Sequence, residues 1–92
     1  MTQSNKDIAH EMKQAMSVGQ FDRAAKIGAR LLRLHPKRTD IEIMTAVSEL
    51  QGSYLANAGR RLKKLFNSLS LDDRYWGPVA QNFLRYAYQA ND

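Results

Sequence analysis

The stretch Gly19-Gln20-Phe21-Asp22-Arg23-Ala24-Ala25-Lys26-Ile27-Gly28-Ala29-Arg30-Leu31-Leu32-Arg33-Leu34-His35-Pro36 decides the fold. Ala24, Ile27, Leu31 and Leu34 recur at i, i+3, i+7 and i+10, an apolar stripe along one side of a helix. His35-Pro36 stops that helix, because a residue preceding proline is pushed out of the helical region. Gly19 closes whatever helix comes before it. The reading is a helix over 22–34 between two firm boundaries.

Outward from this segment the same period repeats. Upstream, Ile8, Met12, Ala15 and Met16 fall at i, i+4, i+7 and i+8 and predict a helix over 4–17, with Ser4 and Asp7 as its capping signal. Downstream, Thr39 with Glu42 forms a capping box reinforced by Asp40, opening a helix over 40–51 whose inward residues are Ile43, Ala46, Val47 and Leu50. Gly52-Ser53 is the next break, Gly52 suited to a left-handed C-cap and Ser53 to capping the helix after it. Leu55, Ala58, Leu62, Leu65, Phe66 and Leu69 then sustain a stripe over 54–69. Residues 70–77 read as a connection. Pro78 begins a fifth helix over 78–90, with Val79, Phe83, Tyr86 and Ala87 inward.

Ninety-two residues bound this to one helical domain with a thin core, over 1–92. At 43% hydrophobic and 25% charged, the composition is that of a folding chain rather than a disordered one. Five Gly and two Pro are too few for the frequent turns of an all-β sandwich. Cysteine is absent, which removes disulfides, thiolate ligands and thiol catalysis and fits a reducing compartment. Neither an apolar leader core nor a membrane-length apolar run is readable, so a cytoplasmic protein is expected, with no membrane as partner. Fourteen Lys and Arg against nine Asp and Glu give +5, which favours an acidic partner, nucleic acid or anionic lipid without choosing among them.

Residues 19–36 resemble the second half of a tetratricopeptide repeat: Gly19 at the turn, aromatic Phe21, small Ala24, small Ala29 to Leu31 near the close-packing position, and terminal Pro36. Gly52-Ser53-Tyr54 repeats the Gly-x-aromatic start. The family pattern lapses elsewhere: Ile8, Glu11 and Met12 stand where an aromatic and a Leu-Gly pair are usual, and Asn57 stands in an Ala position. The resemblance implies antiparallel helix pairs in a short all-α array, with 78–90 as a C-terminal capping helix. The helix order is also loosely similar to that of small type III secretion chaperones. What that likeness implies is a chaperone or adaptor holding a helical or extended segment of another protein.

Several groups are candidates for contact. Arg23, Lys26, Arg30 and Arg33 line one side of the second helix, with Lys37 and Arg38 beyond it, while Arg60, Arg61, Lys63 and Lys64 cluster on the fourth. Each strip is either a solvated helix face or a surface for an acidic partner. Tyr75, Trp76 and Tyr88 are candidate interface anchors, whereas Phe83 and Tyr86 share an inward face. Met12 and Met16 are either core or an adaptable groove lining. The alternative function is a small basic nucleic-acid-binding regulator using Arg30, Arg33, Arg60, Arg61, Lys63 and Lys64, although no aromatic interleaves with them. His10 and His35 have no second ligand at metal spacing, and Asp72-Asp73 reads as turn chemistry. No catalytic constellation or cofactor motif is present, so a non-enzyme without cofactors is expected. Help from a partner or from self-association is expected in burying the core of so short an array.

Overall fold

The computed structural model describes residues 7–91, which form α1 (His10–Ser17), α2 (Phe21–Leu34), α3 (Thr39–Gln51), α4 (Leu55–Ser68) and α5 (Trp76–Ala90). All regular structure among them is helical, as the apolar periods require. Three helices lie within a residue of their expected bounds. The first does not: Ser4 lies outside the described residues, Ile8 is exposed ahead of the helix, and α1 begins only at His10. Asp7 holds the turn before it, accepting the Ala9 N–H at 2.9 Å and pairing with Lys13 Nζ at 2.6 Å. The last helix starts two residues early, at Trp76. Asp73 Oδ1 accepts the Tyr75 N–H at 2.8 Å, and Pro78 sits in the first turn, where a missing N–H forfeits no helical bond.

Three expected caps are replaced. Thr39 is the first residue of α3 rather than its cap, and no side chain caps that end. Arg38 instead grips Asp40 with Nε at 2.9 Å and Nη2 at 2.7 Å, holding the carboxyl below and the guanidinium above their usual pKa ranges. Gly52 has φ of −98°, so it takes no left-handed cap. Its use is steric: a Cβ there would strike the Asp22 carboxylate, which accepts the Ser53 N–H at 2.7 Å and the Ser53 hydroxyl at 2.8 Å. Ser53 thus ties the end of α3 to the start of α2 instead of capping α4. Gly19, at φ of 79°, does occupy the left-handed region expected at the end of α1.

The register of contacts makes successive helices antiparallel. Gly28 of α2 meets Thr45 of α3 at mid-helix while Asp22 meets Ser53 at one end. Phe66 meets Trp76 near the α4–α5 connection, and Gly59 meets Tyr86 further from it. The array measures 48 × 30 × 20 Å. Its core comes in two parts that share α3. Ala9, Met12, Ala15, Ala24, Ile27 and Ile41 form one, where α1, α2 and α3 converge. Ala46, Leu50, Ala58 and Leu62 form the other, with Phe83 and Tyr86 packed against it from α5.

Because α3 feeds both parts, it lacks the single stripe expected of it. Ile41, Thr45, Ala46, Ser48, Glu49 and Leu50 are buried around much of its girth, while Ile43 and Val47 are only half-buried. Its buried hydroxyls are satisfied internally: Thr45 Oγ1 donates to the Ile41 carbonyl and Ser48 Oγ to the Met44 carbonyl, both at 2.8 Å. Leu34, read as part of the α2 stripe, is 70% exposed at the last position of the helix, although Leu31 and Leu32 in the same turn pack against the first core. Phe66, Phe83 and Tyr86 stack in sequence, with centroids 5.3 and 6.2 Å apart, and join α4 to α5.

Two consequences are measurable. At Gly28 an added Cβ would overlap Thr45 Oγ1 and lie 2.8 Å from Met12 Cε. Gly28→Ala gains up to about 1 kcal/mol of helix propensity but overpacks the junction, giving a net loss of roughly 1–2 kcal/mol by denaturant titration. Adding Thr45→Ala to the same chain, which removes the struck oxygen, should recover part of that loss. The second consequence concerns acid. Hydrogen bonds from the Ser53 N–H, and then from its hydroxyl, hold Asp22 below the ordinary carboxylate range. A depressed folded-state pKa contributes stability above the unfolded value of about 3.9, which is lost as pH falls through the folded one. The melting-temperature gap between wild type and Asp22→Asn should therefore be constant near neutral pH and close below about pH 4.

Candidate functional site

A cleft lies along α4 over α3, and α2 forms its opposite wall at one end only. One depression of about 190 Å³ is lined by Ala25, Lys26, Ala29, Glu49, Tyr54 and Asn57. A second of about 190 Å³ is lined by Glu42, Asn57, Arg60, Arg61 and Lys64. The two share Asn57 and so adjoin along α4. Helical period explains the lining: residues 26 and 29 on α2 and 57, 61 and 64 on α4 are three or four apart and share a face. A larger depression of about 450 Å³ lies at the corner around Gly19, Asp22 and Gly52. Its carboxylate, Asp22, is already committed to Ser53. The cleft is therefore the better candidate.

The floor of the cleft carries charge that is balanced within the chain. Glu49 is only 3% exposed, and Arg61 reaches it from α4 with Nε to Oε1 at 2.9 Å and Nη2 to Oε2 at 3.2 Å. The same guanidinium approaches Glu42 Oε2 at 3.7 Å through Nη1. A buried carboxylate without such a fork would be costly. No buried side-chain polar atom lacks a partner among the described residues.

The sequence-derived candidates are placed unevenly. Arg61 departs from its expected strip, turned inward to the two glutamates. Met12 is fully buried in the first core and Met16 is half-buried against it, so Met12 lines no open groove. Arg23 is exposed but engaged by Glu11 at 3.2 Å. Lys26, Arg60 and Lys64 line the cleft, while Arg30, Arg33 and Lys63 are exposed and are not among its lining residues. Trp76 is half-buried with its ring 5.7 Å from Phe66, and Tyr75 carries the Arg74 guanidinium 4.8 Å from its ring centre. Tyr88 is 83% exposed, one turn after exposed Leu84. Phe83 and Tyr86 are half-buried against the second core, on the inward side expected of them.

Glu42, Glu49, Tyr54, Asn57 and Ala29 were not singled out by sequence as parts of one site. The available signal was the twelve-residue separation of Glu49 and Arg61 across the Gly52-Ser53 break, which an antiparallel helix pair brings together. Among the described residues no three of His, Cys, Asp and Glu converge to hold a metal, and no helix is long and apolar enough to cross a membrane. No known protein family, curated protein or solved structure matches the chain.

The Glu49–Arg61 fork predicts an asymmetry. Arg61→Met strands a carboxylate that is almost wholly buried and should cost roughly 2–4 kcal/mol in urea titration. Glu49→Gln leaves an amide acceptor for Arg61, which also keeps Glu42, and should cost about 1 kcal/mol or less.

Proposed function

We propose that the chain is a non-catalytic protein-interaction module, an adaptor or chaperone that holds a helical or extended segment of a partner protein in the α2–α4 cleft. One observation carries this reading. The charges on the cleft floor are satisfied within the chain, whereas its walls combine the small apolar surfaces of Ala25 and Ala29, the Tyr54 ring, the Asn57 amide and unpaired cations. Such walls offer contact area and orienting groups, the two requirements of helix-in-groove recognition. The tetratricopeptide-like stretch 19–36 supports it, because that segment supplies the α2 wall. The likeness to type III secretion chaperones narrows the proposal to a holder of an aggregation-prone helical subunit. A chain without cysteine suits a cytoplasmic setting for that work.

Ala29→Arg fills the cleft from α2 at a half-buried position and is the direct test. Affinity capture from the native host with cross-linking and mass spectrometry should retain a protein partner on wild type and on Tyr88→Ala, and lose it on Ala29→Arg, with circular dichroism confirming that each variant is folded. Equal retention by wild type and Ala29→Arg would overturn the cleft as the holding surface.

A further inference from the structure

Resting on that reading, we propose that the segment held in the cleft is acidic, an amphipathic protein segment whose carboxylates meet Lys26 on one wall and Arg60 and Lys64 on the other. The chain's own negative charge is held internally. Asp7 is taken by Lys13, Glu11 by Arg23, Asp40 by Arg38, and Glu42 and Glu49 by Arg61. Asp22 is bonded to Ser53, Asp72 to the Ser70 hydroxyl and Asp73 to the Tyr75 N–H. Every acid among the described residues thus has a partner inside the chain.

Lys26 and Lys64 pair with no carboxylate among the described residues, and Arg60 reaches only the neutral Asn57 amide. The cleft therefore presents cations from both walls that internal acids do not neutralise. Ala25, Ala29 and Tyr54 line the same depression as Lys26, and Arg60 and Lys64 line the adjoining one. A helix with carboxylates at three- and four-residue spacing on its flanks, and apolar residues between, matches both features at once. Charge complementarity of this kind sets orientation and speeds encounter.

The same surface suits a nucleic acid less well. Tyr54 is the one aromatic lining the cleft, whereas single strands are held by stacking successive bases. Arg61 is spent on the glutamates and is not available to a phosphate track.

The test is to pan displayed random-sequence peptides on the intact chain at low salt, then titrate the recovered peptides by fluorescence anisotropy. Recovered sequences should be enriched in Asp and Glu at helical spacing. Their affinity should fall about tenfold or more in Lys26→Glu/Lys64→Glu and decline with salt, while Lys63→Glu, outside the cleft, changes it little. Neutral or basic peptides that are displaced by Ala29→Arg would overturn the acidic assignment and leave the interaction reading standing. Recovery of no peptide sensitive to Ala29→Arg would overturn both. Tighter binding by a duplex or single-stranded oligonucleotide under the same conditions would also overturn the acidic-segment proposal.

Discussion

Helix α3 has to be buried from two directions in a chain too short to surround it with a conventional core. Its position between α2 and α4 lets one helix serve two small apolar clusters, Ile41 feeding the first and Ala46 and Leu50 the second. The close approach at Gly28 is what makes that possible. Without a Cβ, α2 comes down on Thr45 itself, and Met12 of α1 reaches the same point, so three helices meet where any other residue would hold them apart. Thr45 and Ser48 add volume without a stranded hydroxyl, since each donates to its own preceding turn. Gly59 admits the Tyr86 ring in the same manner on the other side, so small residues set both junctions.

The Glu49–Arg61 fork joins this packing to the proposed site. It ties α3 to α4 and at the same time removes from the cleft the charges that would otherwise repel or capture a ligand at its floor. Within the cleft, the structural pair leaves Lys26, Arg60 and Lys64 as cations that pair with no carboxylate among the described residues. Orientation by such a rim and contact along the apolar strip are separable effects, the first screened by salt and the second not.

Much of the fold was legible in the residues. The stripes of α2 and α4, the positive φ of Gly19 and the stop at Pro36 come from local rules that need no tertiary partner. Local rules failed where another side chain, near or far in sequence, offered a better bond. Asp40 looked like part of a capping box, but Arg38 holds it with two charge-assisted bonds. Ser53 looked like a cap for α4, but Asp22, thirty-one residues earlier, takes both its donors. Leu34 continued the stripe of α2 in sequence, yet at the last position of the helix it is exposed.

The sequence by itself determined that this chain is a run of short amphipathic helices, with positive charge concentrated on α2 and α4. Periodicity and punctuation act between neighbours and can be read residue by residue. Only the tertiary structure decided which charges remain free. Arg60 and Arg61 are adjacent and chemically alike, yet the hundred-degree step between them on α4 aims one at the cleft rim and the other at a carboxylate buried by α3. That distinction depends on where α3 lies beside α4, which no local pattern in either helix records.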